Sequence, residues 1–260
     1  MTISGDVSHK FRLEGRTALI AGAGRGIGRA SAIALAHAGA EVWLMSRTQN
    51  ELDSAVNELA AAGKRAHALV CDVTDTAAVN RAVAALPSLD ILVNNAGTNI
   101  PQLFVDVSEA NLDKVLNLNI RAIFTTAQAA VKKMLESPKR KTRGASVINI
   151  TSQMGHVGAP TRTVYCMTKH AIEGFTKALA VELAPQNIRV NSIAPTFLET
   201  PLTAPMFAKP EFAKWVMDRI PLSRLGQLDE VAAAVVFVAS DAASLMTGTS
   251  LVIDGGWTAQ

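Results

Sequence analysis

Short apolar runs rich in β-branched residues alternate along this chain with longer segments whose apolar residues recur at helical spacing. We predict the short runs as strands, from Thr17 to Ala21, Glu41 to Ser46, Arg65 to Cys71, Leu89 to Asn94, Ala145 to Thr151, Ile188 to Ala194 and Ser250 to Asp254. We predict the longer segments as helices, from Gly26 to Ala38, Gln49 to Ala62, Thr76 to Leu86, Ser108 to Met134, Thr163 to Ala184 and Asp229 to Ser240. Such alternation is typical of parallel strands joined by crossover helices. It predicts one α/β domain over residues 1 to 260, a doubly wound parallel seven-stranded sheet flanked by helices.

One segment departs from this alternation between the sixth strand and the last helix. Residues 196 to 222 hold prolines and apolar residues that look exposed, namely Pro201, Leu202, Pro205, Met206, Phe207, Pro210, Phe212, Trp215 and Pro221. An insertion after a strand end is typical of loops that cover a binding site, so we expect a substrate lid here. The alternative is a structural insertion that supports contacts between the subunits of an oligomer.

Composition indicates a well-packed globular protein, since 49% of the residues are hydrophobic and 18% are charged. The formal net charge of +3 results from 25 basic and 22 acidic residues spread along the chain, which argues against a nucleic-acid partner. The densest basic stretch contains Lys139, Arg140, Lys141 and Arg143 and ends at Gly144. We interpret it as a solvated loop, with a partner or phosphate contact as the alternative.

Cysteine and histidine usage gives no sign of metal chemistry. The two cysteines, Cys71 and Cys166, lack metal-ligand spacing and are expected to be buried thiols, and the five histidines are scattered. The first dozen residues lack a continuous apolar segment, and no stretch reaches the ~20 apolar residues that cross a bilayer. We therefore expect no metal, no membrane contact and a cytoplasmic protein.

A glycine cluster follows the first predicted strand and opens directly into a helix. Its residues include Gly22, Arg25, Gly26, Ile27 and Gly28. Glycine lets the chain turn tightly and approach a pyrophosphate, whose charge is met by the helix N-terminus. In this position the cluster predicts the dinucleotide site of a Rossmann-type sheet. A glycine-rich turn without a ligand is the alternative.

The end of the second strand bears on the choice between nicotinamide cofactors. Ser46 and Arg47 occupy the place where an NAD site has an acid for the ribose hydroxyls, and no acid is expected there to repel a 2′-phosphate. Arg47 could pair with that phosphate, and Arg25 could approach it from the glycine loop. We therefore expect NADP(H) to be preferred, with NAD(H) still possible.

Two further segments follow strand ends and so point at the same crevice. Asp72 and Val73 follow the third strand, where Asp72 is placed to accept a hydrogen bond from the adenine amino group. Asn95, Ala96 and Gly97 follow the fourth strand, where the two small residues leave room for ribose. Without this setting the second segment would be read as an ordinary turn.

Tyr165 and Lys169 begin a predicted helix, and their four-residue separation places them on one helical face. A free tyrosine has a pKa of about 10, and a nearby ammonium lowers that pKa because it favours the phenolate. Lys169 is therefore expected to tune Tyr165 as an acid/base near neutrality. The apolar stripe of this helix is predicted to contain Met167, Ala171, Phe175 and Ala178.

Two polar side chains complete the candidate chemistry. Ser152 closes the fifth predicted strand, where its hydroxyl is placed to hydrogen-bond a substrate oxygen. A serine nucleophile is disfavoured because the G-x-S-x-G elbow and a well-placed His/Asp pair are missing. Asn119 interrupts an apolar helix face, so its amide needs a hydrogen-bond partner. We expect a water-mediated link from Asn119 to Lys169, with a purely structural contact as the alternative.

Over essentially its whole length the chain resembles the short-chain dehydrogenase/reductase family. The shared residues are Gly22-x-x-x-Gly26-x-Gly28, Asn94-Asn95-Ala96-Gly97, Asn119, Ser152, Tyr165-x-x-x-Lys169, Pro195, Thr200, Thr247-Gly248 and Asp254-Gly255-Gly256. The resemblance implies reversible hydride transfer between a nicotinamide cofactor and a carbonyl/secondary alcohol pair. It implies that Tyr165 transfers the proton and Ser152 polarises the carbonyl. It also implies that Lys169 binds the nicotinamide ribose and lowers the tyrosine pKa, while Asn119 holds a proton-relay water.

Two positions depart from the family pattern. Ala21 stands where the family usually has threonine, and Thr196 replaces the glycine that usually follows Pro195. The resemblance assigns Pro195, Thr196, Leu198 and Thr200 to the cofactor. The change at Thr196 therefore bears on the shape of the nicotinamide pocket and the lid.

Substrate-binding residues are expected beside Ser152 and Tyr165. The neighbouring residues predicted to form the pocket wall are Gln153, Met154, His156 and Arg162. Arg162 is a candidate anchor for a carboxylate. The alternative, which a loop arginine favours, is an exposed surface charge.

Three functions remain open from the sequence. The segments at residues 210 to 215 and 220 to 224 resemble the sugar-acid branch of the family, such as gluconate 5-dehydrogenases, and we favour a polyol or sugar-acid substrate. The general pattern is equally similar to 3-oxoacyl-carrier-protein reductases. A non-catalytic NADP(H)-binding sensor is the third function, against which the complete set of Ser152, Tyr165 and Lys169 argues.

Assembly is implied by the resemblance alone. The family commonly forms tetramers through the helices that begin near Ser108 and Thr163 and through the C-terminal segment. Apolar residues are present in all three segments of this chain. A homotetramer is therefore expected by analogy.

Overall fold

Seven parallel strands form one sheet in the computed structural model, which describes residues 5–200 and 203–259. The strands are β1 (Thr17–Ala21), β2 (Glu41–Ser46), β3 (Ala66–Val70), β4 (Ile91–Asn94), β5 (Ala145–Ile150), β6 (Ile188–Pro195) and β7 (Ser250–Ile253). Their order across the sheet is β3-β2-β1-β4-β5-β6-β7. The chain reverses its direction of progress between β1 and β4, which opens a crevice at the carboxyl ends of these strands. The predicted fold class is confirmed.

Helices cover both faces of the sheet. Those among the described residues are α1 (Gly26–His37), α2 (Gln49–Ala61), α3 (Thr76–Ala84), α4 (Glu109–Leu116), α5 (Ala122–Glu136), α6 (Arg140–Arg143), α7 (Thr163–Leu183), α8 (Ala204–Phe207), α9 (Pro210–Met217) and α10 (Leu228–Ala239). One core lies between the sheet and α1, α2 and α10, and the other lies between the sheet and α3, α5 and α7. Adjacent residues of a strand point to opposite cores, as Leu19 and Ile20 do in β1.

The predicted elements are present, and most of their ends differ by one or two residues from the prediction. The largest difference concerns the helix predicted from Ser108 to Met134. The structure divides that segment into α4 and α5, with a π-helical turn at Asn117–Arg121 between them. Such turns are frequent at functional sites because they redirect side chains within a helix. This one carries Asn119, whose side chain is fully buried.

The apolar stripe predicted for α7 lies mostly on the exposed side of the helix. Met167 is 48% exposed, and Ala171 and Ala178 are exposed as well. The buried face of α7 includes polar residues instead, among them Lys169 and Glu173. These polar groups can face the sheet because hydrogen-bond partners meet them there.

The basic stretch is solvated only in part. It forms the short helix α6, in which Lys141 and Arg143 are exposed while Arg140 is buried. Arg140 donates a hydrogen bond to the carbonyl oxygen of Gln186, and Arg143 Nη2 donates to the Glu14 carbonyl at 2.8 Å. These arginines therefore cap backbone carbonyls of neighbouring segments, which a pattern of charge along the sequence does not show.

The segment from 196 to 222, for which a lid is expected, is anchored by aromatic side chains. Pro201 and Leu202 lie outside the described residues, and α8 and α9 occupy much of the remainder. The clustered rings belong to Phe197, Phe207, Phe212, Trp215 and Trp257. Phe207, Phe212 and Trp215 are therefore partly buried, contrary to the expectation that they are exposed. Because Trp257 comes from the C-terminal segment, that segment holds one side of the aromatic cluster.

Other expectations concern burial of thiols and membrane contact. Cys71 and Cys166 are buried free thiols, as predicted. Within the described ranges, no helix has the length and apolar character required to cross a bilayer.

Buried amides connect the centre of the sheet to α7. Asn94 Nδ2 donates to Asn149 Oδ1 at 3.1 Å, and Asn149 Nδ2 donates to Thr176 Oγ1 at 2.9 Å. Asn149 is fully buried, so water cannot replace these bonds if one partner is removed. The chain of bonds links β4, β5 and α7 and fixes the height of the helix above the strand ends.

We predict that Asn149→Ala lowers the free energy of unfolding by about 2 to 3 kcal/mol, because it leaves buried partners on both sides unsatisfied. Urea denaturation followed by circular dichroism measures the change. The exposed residue Asn80 provides the control, and Asn80→Ala should change the free energy by less than about 0.5 kcal/mol. Equal stability of the two variants would show that the amide chain does not support the fold.

Candidate active site

The glycine loop between β1 and α1 packs directly on the end of β4. Asn95 Nδ2 donates to the Gly22 carbonyl at 2.9 Å. A Cβ atom at Gly22 would lie 2.9 Å from the backbone of Ala96, and a Cβ atom at Gly28 would overlap the Gly22 carbonyl oxygen. Arg25, at the N-cap of α1, makes no side-chain capping bond. The loop therefore has the close backbone approach and the uncapped helix amides that a pyrophosphate requires.

The carboxylate of Asp72 is engaged within its own turn. Asp72 Oδ1 accepts hydrogen bonds from the Thr74 amide at 2.9 Å and the Thr74 hydroxyl at 2.7 Å. Although burial raises the pKa of Asp72, these bonds and the nearby Arg47 guanidinium hold it below its ordinary value. Arg47 is exposed and lies 3.8 Å from Asp72 Oδ2. Asp72 and Arg47 thus lie together at the end of the crevice assigned to adenosine.

An acid lies beside Ser46, contrary to the expectation that none is present there. Glu51 belongs to the first turn of α2. A Cβ atom at Gly24 would overlap the Glu51 carboxylate and lie 3.1 Å from Ser46 Oγ. Glu51 follows Ser46 by five residues in the sequence, and the fold brings it back to the strand end from the following helix. Both an acid and Arg47 therefore border the expected ribose position.

Tyr165, in the first turn of α7, meets the end of β5. Burial raises the pKa of Tyr165 to about 12, and a hydrogen bond with Ser152 opposes that rise. Ser152 Oγ donates to Gln153 Oε1 at 2.7 Å and accepts from the Met154 amide at 3.1 Å. Ser152 is therefore held between the phenol and a buried amide, and the role of Gln153 as its acceptor was not foreseen.

Lys169 is buried one helical turn beyond Tyr165. Its Nζ atom donates to the Ile150 carbonyl at 2.9 Å and lies 5.5 Å from the centre of the Tyr165 ring. Burial lowers the pKa of Lys169 to about 8, against the opposing effect of Glu173. The expected lowering of the Tyr165 pKa is not seen, because removal of the phenol from water outweighs the other effects.

Asn119 makes three direct contacts from its π-helical turn. Its Oδ1 accepts from the Thr98 amide at 2.8 Å, and its Nδ2 donates to the Thr98 carbonyl at 2.9 Å and to Thr168 Oγ1 at 3.1 Å. A Cβ atom at Gly97 would lie 3.4 Å from Asn119 Oδ1 and 3.8 Å from Lys169 Nζ. Gly97 therefore lies between the two polar groups. The water-mediated link stays a prediction.

Arg162 is buried, so the interpretation that favoured a surface charge was wrong. It is 7% exposed and precedes Tyr165 by three residues. Its Nη1 donates to Thr161 Oγ1 at 2.7 Å, and none of the ion pairs among the described residues includes it. Burial lowers the pKa of Arg162, while Cys166 and Tyr165 oppose this effect. A buried cation without a carboxylate is costly, which favours an anionic ligand beside Tyr165.

The remaining residues predicted for the pocket wall fall on different sides of the site. Gln153 and Met154 are buried in the turn that follows Ser152. His156 lies behind this turn, where its Nε2 is 3.0 Å from Ser250 Oγ and 3.4 Å from Glu173 Oε1. His156 therefore contacts β7 and α7.

The residues after β6 approach the same edge of the sheet. Pro195, Thr196 and Leu198 are buried. Thr196 Oγ1 is buried without a hydrogen-bond partner, which is unusual for a hydroxyl and fits a group that awaits a ligand. Thr200 Oγ1 lies 3.1 Å from Thr203 Oγ1. Together with the glycine loop, this orphaned hydroxyl makes the crevice suitable for a dinucleotide.

The chain is similar along nearly all of its length to known reductases and dehydrogenases. A family model described as enoyl-(acyl carrier protein) reductase matches residues 22–258. L-xylulose reductase of Bos taurus is 38% identical over 251 residues, which cover 96% of this chain and 99% of that protein. The 3-oxoacyl-(acyl-carrier-protein) reductase of Thermotoga maritima is 39% identical over 251 residues, which cover 95% and 99%.

Solved structures show the same likeness. A gluconate 5-dehydrogenase from Burkholderia cenocepacia, in complex with NADP and tartrate, has a TM-score of 0.91 and 33% sequence identity. The match covers 97% of this chain and 98% of that chain. The agreement therefore includes the sheet, both helical layers and the segment after β6.

We predict that Lys169→Met stabilises the cofactor-free protein at neutral pH, because the buried ammonium is costly. The pKa of Lys169 is lowered from 10.5 to about 8 in the folded state. The native state therefore binds fewer protons than the unfolded state between these values, so wild-type stability rises relative to the variant as pH increases through this window. The advantage of the variant should shrink by about 2 kcal/mol between pH of about 6.5 and about 9.5. Urea unfolding at both pH values measures this, and a difference that is constant with pH would contradict it.

Proposed function

Because the chain belongs to the short-chain dehydrogenase/reductase family, we propose that it transfers hydride reversibly between NADP(H) and the carbonyl/secondary alcohol pair of a small polyol or sugar acid. The chain is an oxidoreductase that acts on CH–OH groups. The observation that carries the proposal is the meeting of Tyr165, Ser152 and Lys169 at the carboxyl end of β5. This edge also carries the glycine loop.

The residues that would hold the cofactor lie along one crevice. The amides of Gly26, Ile27 and Gly28 at the start of α1 would bind the pyrophosphate. Arg47, with Arg25, would bind the 2′-phosphate, and a bound NADP molecule in the gluconate 5-dehydrogenase supports this choice.

The remaining cofactor contacts lie further along the strand ends. They would come from Ser46, Asp72, Val73, Asn95, Ala96, Gly97, Tyr165, Lys169, Pro195, Thr196, Leu198 and Thr200. When bound, NADP(H) supplies or accepts the hydride at its nicotinamide ring.

The proton moves at the phenol oxygen of Tyr165. With its pKa at about 12, Tyr165 is protonated near neutrality and is ready to donate to a carbonyl oxygen during reduction. Ser152 would hydrogen-bond the same oxygen and so stabilise the charge that develops on it. For oxidation of an alcohol, Tyr165 must lose its proton, and a charged Lys169 assists by favouring the phenolate. Asn119 would hold the water through which that proton leaves.

The substrate class is inferred from Arg162. Its buried guanidinium lies near Tyr165 and matches a carboxylate, which a sugar acid provides. Met154, which is buried in the turn after Ser152, would form an apolar part of the wall. A 3-oxoacyl thioester offers no carboxylate at this position, so Arg162 favours a sugar acid over the acyl-carrier alternative. The tartrate in the gluconate 5-dehydrogenase structure is consistent with this preference.

The proposal also includes a substrate lid, an oligomeric state and a cellular location. The segment from 196 to 222 would act as the substrate lid, hinged on its aromatic anchor. The exposed apolar residues Phe124 and Met167, on α5 and α7, support association into a homotetramer. We also propose a cytoplasmic location, with small molecules as substrates.

We predict that Tyr165→Phe lowers kcat at least about 10³-fold, because the substrate oxygen loses its proton donor and acceptor. Turnover should be measured over a panel of polyols, sugar acids, their keto forms and 3-oxoacyl thioesters, with NADPH and with NADH. NADPH binding by the variant, followed by fluorescence, should stay within about threefold of wild type. Wild-type protein that binds NADPH yet is inert over the whole panel would support a sensor instead.

We predict that Arg162→Met lowers kcat/KM about 10- to 100-fold for carboxylated substrates, because a charge-assisted pair is lost. Neutral polyols provide the internal control, and their kcat/KM should change by less than about threefold. A uniform loss over both classes would instead assign Arg162 to the packing of Tyr165.

A further inference from the structure

Glu173 extends the line of polar residues on α7 by one further turn. Tyr165, Lys169 and Glu173 are spaced by four residues, so all three lie on the same side of the helix. Glu173 is 7% exposed and Lys169 is 4% exposed. A carboxylate this deeply buried is costly unless hydrogen bonds and an opposite charge compensate it.

Both oxygens of the Glu173 carboxylate receive hydrogen bonds. Oε1 accepts from Thr151 Oγ1 at 2.5 Å and from Ser250 Oγ at 3.1 Å, and Oε2 accepts from Ser192 Oγ at 2.6 Å. His156 Nε2 lies 3.4 Å from Oε1. Short bonds from several donors are typical of an ionised carboxylate.

The three hydroxyl donors lie within, or directly after, three neighbouring strands. Thr151 follows β5 directly and precedes Ser152, while Ser192 belongs to β6 and Ser250 to β7. One carboxylate therefore ties α7 to the three strands on which the active-site edge is built.

The turn after Ser152 also rests on this part of α7. A Cβ atom at Gly155 would lie 3.2 Å from the Lys169 carbonyl oxygen and 3.3 Å from Glu173 Cγ. The absence of a side chain at Gly155 lets the turn touch the helix between these two residues. The turn therefore packs on α7 next to Glu173, and this contact fixes the distance between Ser152 and α7.

We propose that Glu173 is a positioning residue: its carboxylate fixes α7 against β5, β6 and β7, so that Ser152 meets Tyr165, and its charge keeps Lys169 cationic. The inference rests on the proposed function. Among the described residues, the titratable groups that face Glu173 are Lys169 from α7 and His156 from the turn after β5, since the three strands contribute hydroxyls. The Glu173 charge raises the pKa of Lys169 against the effect of burial, which lowers it to about 8.

The test compares Glu173→Gln with Glu182→Gln. Glu182 is an exposed residue of the same helix, nine residues further on, so this control removes the same charge outside the network. For Glu173→Gln we expect kcat to fall about tenfold and the alkaline limb of the kcat/KM profile to move down by at least about 0.5 pH unit, because Lys169 loses its proton more easily. The control should match wild type.

Glu173→Asp keeps the charge on a shorter side chain. It should restore the alkaline limb to within about 0.2 pH unit of wild type, because the charge returns. The value of kcat should stay reduced, because the shorter side chain cannot contact all of the hydroxyls that Glu173 binds. Glu173→Gln with wild-type kcat and an unchanged profile, even at lower Tm, would overturn the inference and leave Glu173 a structural residue only.

A second variant addresses the possibility that Glu173→Gln does not fold. Ser192→Ala removes the 2.6 Å donor and keeps the carboxylate. We expect it to fold and to lower kcat about threefold without moving the alkaline limb, since the helix is held less firmly while the charge remains. An unchanged kcat would contradict the positioning role.

A thermal denaturation cycle tests the charge interaction without cofactor or turnover. At pH of about 6.5, where Lys169 is charged, Lys169→Met should raise Tm more in the Glu173→Gln background than in wild type, by at least about 2 °C. Equal increments would overturn the coupling between the two residues. Wild-type protein inert over the substrate panel would overturn both the proposed function and this inference, whereas an active enzyme insensitive to Glu173 would overturn the inference alone.

Discussion

The structure depends on the burial of a charged and polar helix face against the carboxyl ends of the central strands. Lys169 donates to the Ile150 carbonyl, Glu173 accepts from strand hydroxyls, and Thr176 accepts from Asn149. Each group would be costly in a dry interior without its partner, so the helix has few alternative positions. Tyr165 lies at the open end of this face, and its place beside Ser152 follows from the anchoring behind it.

Burial that fixes the geometry also sets the protonation states. Removal from water raises the pKa of Tyr165 to about 12 and lowers the pKa of Lys169 to about 8. The two pKa values thus move apart, and each shift favours the neutral form of its group. Chemistry that needs a phenolate and an ammonium must recover part of this free energy from the bound cofactor and substrate. In the proposed function, the stability given up at Lys169 would serve this chemistry, as is common at catalytic sites.

Local patterns were sufficient for the sheet, the glycine loop and the pairing of Tyr165 with Lys169, because each depends on spacing within a few residues or on strand–helix alternation. Contacts between distant segments were not accessible in this way. Arg162 is buried and Glu51 reaches back to the glycine loop only because of how the chain folds around them. Periodicity detected an apolar stripe on α7 but could not show that it faces outward, as an apolar face fits a core or an interface equally well. Glu173 could have been found from the sequence, because its spacing of four residues from Lys169 places both on the same face of the helix.

The central claim is that the phenol of Tyr165 lies partly buried beside Lys169 and next to the cofactor crevice. Because Tyr165 is the single tyrosine of the chain, ultraviolet absorbance of tyrosinate reports its ionisation alone, with Tyr165→Phe as the blank. At pH of about 10, where a free phenol is half ionised, the cofactor-free enzyme should show almost no tyrosinate, and saturation with NADP⁺ should make the signal appear. Half ionisation at that pH both with and without NADP⁺ would contradict the account.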